Sequence, residues 1–284
     1  MEDKKTGLIM EGGAMRGMFT CGVIDVMMEN DITFDGAIGV SAGAVFGCNY
    51  ESRQIGRPIR YNKRFCRDRR YESFHSLVTT GDLYNADFCY RQLPDELDPW
   101  DYETFTANPM DFYVCCTDVE TGSAVYHRCT TGIGDDMTWM RASASMPIVS
   151  RIVEVDGYKL LDGGVADAVP LQYFESIGYN RNVVLLTQPR GFRKKKGHLT
   201  PIVRRRYRDY PAFISTWEHM EERYNDLMDE IDRQESEGKI LVIRPVTGLK
   251  IGKIEKNPAE LERVYQAGRR AGRRALPQIR DFLA

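Results

Sequence analysis

The sequence predicts a three-layer α/β/α domain with a mostly parallel central sheet, on three observations. Short apolar runs alternate with helical patterns through the first half of the chain, as parallel strands joined by crossover helices require. Twice, a strand pattern passes through a small-residue turn straight into a helix, once at residues 12–17 and once at Ser41. The chain of 284 residues can bury a sizeable core, and neither an internal repeat nor a linker divides it. A single domain over 1–284 is therefore expected, with a core of about 5–190 and a basic, then helical, remainder of about 190–284.

Residues 7–10 read as a first buried strand. A glycine-rich turn over 12–17 leads into a helix over 18–29, whose apolar residues at 19, 23, 26 and 27 recur at helical spacing. Residues 33–39 return as a strand, and 42–51 follow Ser41 as a helix. A basic helical stretch covers 57–70. Strands are expected at 111–117 and 124–129 around a Glu-Thr-Gly turn, and at 152–155 and 158–161 around Asp156-Gly157, a two-residue hairpin signal. Residues 170–177 form a short helix with proline in its first turn and Gly178 as its stop. Strands at 183–186 and 240–243 complete the sheet, with a charged helix over about 211–237 between them and a last helix from Pro258.

Composition excludes several function classes. With 39 basic against 41 acidic residues, a net charge of −2 gives no global field for nucleic acid. Seven cysteines form an odd set without a CxxC pair, and neighbouring Cys115 and Cys116 point to opposite faces of a strand, so reduced thiols in a cytoplasmic protein are expected. The charged start MEDKKTGLIMEGG reaches glycine too soon for a signal peptide, and no apolar run approaches the 18 residues needed to span a bilayer. His75, His127, His198 and His219 stand without a paired ligand at zinc spacing, so neither a metal nor another cofactor is expected.

Three segments could carry chemistry. Gly39-Val40-Ser41-Ala42-Gly43 fits the GxSxG elbow, where small flanking residues let a tight strand-to-helix turn project a serine hydroxyl into a cleft; a small-residue packing turn fits it too. Gly12-Gly13-Ala14-Met15-Arg16-Gly17 aims several backbone N–H groups and a helix start at one point, which suits either a dinucleotide pyrophosphate or the oxyanion of a tetrahedral intermediate. The spacing is not GxGxxG. Asp162-Gly163-Gly164 ends a strand, so its carboxylate is either a site residue or an Asx turn.

Together GGAMRG, GVSAG and DGGVADAVP, in that order, resemble the patatin-like phospholipase family of serine acyl hydrolases. The resemblance runs over about 7–178 and includes RASASMP at 141–147, which in the family borders the cleft. It implies Ser41 as nucleophile and Asp162 as its base, with Gly12, Gly13 and Ala14 as the oxyanion hole and Arg16 beside them. Gly39, Gly43, Gly163 and Gly164 support the turns, and Asp167 and Pro170 fit the longer DGGxxDxxP form. Ala14 departs from the family's third glycine; if the position needs a positive φ, alanine is strained there. Among the histidines, only His127 on a predicted strand is an alternative base.

The expected function is hydrolysis of carboxylic esters of lipids through an acyl-enzyme on Ser41. The rivals are an acyltransferase using the same pair, a noncatalytic lipid-binding protein, and a nucleotide-binding protein using the glycine turn. Residues 190–208 add a second expectation, since Arg190, Arg193, Lys194, Lys195, Lys196, Arg204, Arg205, Arg206 and Arg208 make nine basic residues with no acidic one. They form either a solvated loop balanced by acidic residues of 218–237 or a patch that meets an anionic membrane, with Phe192, Leu199, Ile202, Val203 and Tyr207 interleaved.

Overall fold

Alternation along each strand decides which layer each side chain joins. The computed structural model describes residues 5–284; the first four residues of the charged start lie outside the described residues. Eight strands form one sheet among the described residues: β1 (Lys5–Met10), β2 (Gly36–Val40), β3 (Asp111–Asp118), β4 (Ala124–Cys129), β5 (Val153–Val155), β6 (Tyr158–Asp162), β7 (Tyr179–Leu185) and β8 (Ile240–Ile243). Their order is β5-β6-β3-β2-β1-β7-β8, with β4 also on β3. The run from β3 to β8 is parallel, β4 and β6 each pair antiparallel with β3, and β5 pairs antiparallel with β6.

Leu8, Met10, Val183 and Leu185 face one core, whereas Ile9 and Val184, one residue out of phase, face the other. The first core takes in α1 (Gly17–Glu29), α2 (Ala42–Glu51), α3 (Arg57–Phe65) and, later in the chain, α6 (Asp135–Ser143) and α11 (Pro258–Leu283). The second takes in α7 (Leu171–Ser176) and α10 (Met220–Ser236). Between α3 and α6 come α4 (Phe74–Thr80), a π-helical segment (Phe88–Leu97) and α5 (Tyr102–Ala107); α8 (Thr200–Arg206) and α9 (Pro211–Glu218) precede α10. The three layers expected from the sequence are present. Helix α1 is buried on all sides from Gly17 to Met28, because α11 covers the face turned away from the sheet. For that reason α1 is apolar over most of its surface, with buried Asp25 accepting from Tyr265 of α11, while α11 carries a stripe of buried residues at 261, 264, 265, 268, 271, 272, 275 and 279.

Some boundaries differ from expectation. Helix α3 stops at Phe65, and Asp68 then folds back on the Arg70 N–H in a turn. The helix expected over 211–237 breaks at His219, whose Nδ1 lies 2.8 Å from the Ser215 carbonyl, giving α9 and α10. Residues 190–208, read as a loop, contain α8. Helix α6 was not expected: its acidic first turn is a helix-start signal, but the apolar face behind it is short. No helix among the described residues is long and apolar enough to cross a membrane.

Candidate active site

The sheet register brings two distant segments to one point. Strand β3 pairs with β2 over 111–115 and with β4 over 112–117, so β2 and β4 occupy opposite edges of β3. β6 pairs at 116–118, overlapping β4, so it shares the edge of β2 and takes over where β2 stops. Val40 lies opposite Cys115 and Asp162 opposite the next residue, Cys116. Ser41, directly after Val40, thus meets the end of β6, and its hydroxyl donates to Asp162 Oδ2 at 2.6 Å.

The turn at Ser41 has the sharp shape a projecting hydroxyl needs. Ser41 sits at φ 55°, ψ −121°, a conformation that L residues hold only when their surroundings enforce it. Enforcement comes from close backbone approach: a Cβ on Gly43 would lie 2.2 Å from the Met10 carbonyl oxygen. A residue that sequence reasoning did not single out completes the turn. Ser143, at the end of α6, accepts the Ser41 N–H at 2.9 Å and donates to the Cys115 carbonyl at 2.6 Å. Its only sequence signal is its place within RASASMP.

Asp162 is buried at 7% exposure, and its other oxygen accepts the Gly164 N–H at 2.8 Å. Burial pushes its carboxyl above the ordinary carboxylate range, against the hydrogen bonds from Ser41 and Gly164. Thr117 braces the turn, donating to the Asp162 carbonyl at 2.8 Å and accepting the Ala166 N–H at 3.1 Å. Asp167 is held in the same turn by the Tyr126 hydroxyl and the Val169 N–H, and Pro170 stands at the start of α7.

The glycine turn packs directly on Ser41. A Cβ on Gly12 would come within 2.9 Å of the Ser41 Cβ. The N–H groups of Gly12, Gly13 and Ala14 have no acceptor among the described residues. Ala14 adopts φ 48°, so the position does take the left-handed conformation that favours glycine. Arg16 is half-buried beside Gly13, with its Nε 3.4 Å from Thr187 Oγ1 and no carboxylate partner among the described residues.

An apolar cleft of about 850 Å³, its open mouth included, begins at Ala14 and Ser41 and is lined by Val45, Phe46, Tyr61, Leu93 and Met140 among others. His127 is engaged elsewhere: its Nε2 lies 2.7 Å from Asp136 Oδ1, and its ring stacks on Trp139. The ligand atoms of His127, Cys129 and Asp136 all lie within 4.8 Å of one another, a grouping not seen in the sequence spacing. The second Asp136 oxygen accepts the N–H groups of Thr130, Thr131 and Gly132, so this carboxylate ties a turn to α6. All seven cysteines are free thiols.

The basic segment divides into paired and unpaired residues. Arg190, Arg193 and Arg204 bind Glu235, Asp229 and Glu218, the balance expected from the acidic stretch, and Arg208 lies 3.7 Å from its neighbour Asp209. Lys195, Lys196, Arg205 and Arg206 are exposed without a carboxylate partner among the described residues, next to exposed Leu199 and Ile202. Lys194 instead turns inward, its Nζ 4.0 Å from the centre of the Tyr224 ring. Burial lowers its ammonium from the ordinary lysine range, the charges of Glu11 and Asp162 oppose that fall, and Arg16 adds to it.

Comparison with known proteins covers most of this chain. The family model described as patatin-like phospholipase matches residues 8–175, and one described as a domain of unknown function (DUF6363) matches 210–284. An uncharacterized protein, YjjU of Escherichia coli (strain K12), is 26% identical over 98% of this chain and 79% of its own length. Lysophospholipase NTE1 of Chaetomium globosum is 28% identical over 62% of this chain, which spans only 11% of that protein. VipD from Legionella pneumophila superposes with a TM-score of 0.49 at 11% identity, covering 97% of this chain and 67% of VipD.

Proposed function

The chain belongs to the patatin-like phospholipase family, and from that premise we propose that it hydrolyses carboxylic esters of lipids through an acyl-enzyme on Ser41. The observation that carries the reading is the 2.6 Å hydrogen bond from Ser41 to a buried Asp162 at the rim of an apolar cleft. Ser41 Oγ attacks the ester carbonyl carbon as its proton passes to Asp162 Oδ2. The negative oxygen of the tetrahedral intermediate is met by the free N–H groups of Gly12, Gly13 and Ala14, with the Arg16 charge nearby. Collapse breaks the bond to the alcohol, which leaves with the proton from Asp162. Water then attacks the acyl-enzyme as Asp162 takes its proton, and collapse breaks the bond to Ser41 Oγ, which regains the proton from Asp162 as the carboxylic acid leaves.

The physical difficulty with such a pair is that a carboxylate of ordinary pKa, about 3.9, is a poor base toward an alcohol. Burial of Asp162 supports the proposal by raising that pKa. The Ser41 N–H is occupied by Ser143, so the oxyanion depends on the glycine turn rather than on the nucleophile's own amide. The apolar cleft supports an acyl chain as the group held beside Ser41. Exposed Lys195, Lys196, Arg205 and Arg206, with Leu199 and Ile202, support contact with an anionic membrane surface where such substrates reside. Incubating wild type and Ser41→Ala with a defined mixture of phospholipids, lysophospholipids and acylglycerols, and measuring released fatty acid, tests the function. Release by wild type alone supports it; equal release by both proteins contradicts it.

A further inference from the structure

We propose that three consecutive side chains of α10, Arg223, Tyr224 and Asn225, are positioning residues that fix the loops around Ser41 and Asp162, which gives residues 210–284 a part in the reaction. The inference rests on the acyl-hydrolase reading above. Successive side chains of a helix point about 100° apart, so three in a row reach three different segments. Arg223 donates to the Val165 carbonyl at 2.8 Å, three residues beyond Asp162, and to Thr216 in its own part of the chain at 2.7 Å. Tyr224, buried at 2% exposure, donates at 2.8 Å to Oε1 of Glu11, the residue before Gly12. Asn225 holds Lys194 from both sides, accepting its N–H at 2.8 Å and donating to its carbonyl at 3.0 Å.

The middle contact extends into the glycine turn. Glu11 is buried, and its second oxygen accepts the Thr187 N–H at 2.6 Å; Thr187 Oγ1 lies 3.0 Å from the Gly12 carbonyl and 3.4 Å from Arg16 Nε. One helix thus fastens the turn with the free N–H groups, the turn that carries Asp162, and the lysine whose charge acts on that carboxylate. Packing alone does not require this. The Tyr224 ring, with Met228 and Ile231 further along α10, buries the apolar face of the helix against the second core, and that packing needs no hydroxyl. A buried tyrosine aimed at a buried glutamate adds direction, which matters because a misplacement of about 1 Å can cost about a hundredfold in rate.

The test compares the full-length wild type with Tyr224→Phe, Arg223→Gln and Arg223→Lys. Hydrolysis of a soluble p-nitrophenyl ester gives kcat and KM, and hydrogen–deuterium exchange reports peptides over 11–17 and 163–169. Tyr224→Phe keeps the ring under Lys194 and deletes one hydroxyl. It is expected to lower kcat about tenfold with KM little changed, and to speed exchange in 11–17, with the thermal midpoint a few degrees lower because a buried Glu11 oxygen loses its donor. Arg223→Gln, whose amide is too short to reach the Val165 carbonyl, does the same for 163–169, and Arg223→Lys, whose ammonium keeps most of the reach, recovers part of the loss. A lower midpoint with kcat and both exchange rates at wild-type values overturns the proposal and leaves α10 as packing alone. If the wild type hydrolyses no ester, the acyl-hydrolase reading fails instead, and unchanged exchange in both peptides still overturns the positioning role.

Discussion

Replacing Asp162 by Asn separates a base from a brace. The amide has the shape of the carboxylate, so it can still accept the Gly164 N–H now held at 2.8 Å, while losing the ability to take the Ser41 proton across 2.6 Å. General-base catalysis contributes about 10² to 10⁴ in rate, so kcat should fall by that factor, equivalent to about 2.7–5.4 kcal/mol at 1.36 kcal/mol per tenfold. Stability should move the other way. Because burial raises the folded-state pKa of Asp162, the folded protein keeps a proton that the unfolded chain releases near pH 3.9. Between that value and the raised one, stability of the wild type falls as pH rises, and the cost persists above it. Asn does not titrate, so the variant should gain on the wild type through this window and be at least as stable at pH 7. The assay is kcat on a soluble ester from pH 4 to 9, beside thermal unfolding over the same range. The wild type should lose activity as pH falls through the raised Asp162 pKa, since only the ionised form is a base. Near-wild-type turnover by Asp162→Asn refutes the base. Lost activity together with lower stability at pH 7 refutes the reasoning as well, by making Asp162 a brace for the Gly164 turn.

Other expectations follow from single residues. Ala14→Gly relieves a left-handed alanine at φ 48°, worth about 1 kcal/mol or a rise of about 2–4 °C in thermal midpoint, with activity unchanged or slightly higher; a large loss of activity in the folded variant contradicts the strain argument. Gly43→Ala drives a methyl toward the Met10 carbonyl, 2.2 Å from its ideal position, and should cost about 3 kcal/mol with loss of hydrolysis, whereas an unchanged midpoint shows that the elbow has slack. Charge reversal at Lys195 and Lys196 should weaken sedimentation with anionic vesicles at low salt and spare hydrolysis of a soluble ester; equal sedimentation removes the membrane role. Activity should survive EDTA, because the proposed oxyanion donors are backbone N–H groups, and a loss restored by added zinc or calcium argues against them.

Local signals in the sequence located the site, while contacts between distant segments did not show in it. Gly39, Gly43 and Gly12 were readable because the close approach where β1 and β2 end leaves room for no other residue. The Asp156-Gly157 hairpin was readable for a similar reason, since its turn type demands those residues. What made Asp162 meet Ser41 was not readable: β6 continues along the β3 edge where β2 ends, a matter of register between strands about 120 residues apart. Ser143 has no local pattern, because its role is to bond the Ser41 N–H from another helix. Lys194 counted among nine basic residues read as a solvated loop or a membrane patch, yet Asn225 and the Tyr224 ring turn it inward. The grouping of His127, Cys129 and Asp136 escaped notice because only the first two share a strand, and a turn brings in Asp136 from α6.

Reaction with a fluorophosphonate, followed by intact-mass measurement and peptide mapping, tests the dyad most directly, because the reagent captures a serine only where a base and an oxyanion site act on it together. The account predicts one adduct per chain, on the peptide that contains Ser41, formed much more slowly in Asp162→Asn and absent in Ser41→Ala. A wild-type protein that stays unlabelled, or an adduct that maps to another residue and persists in Ser41→Ala, contradicts it.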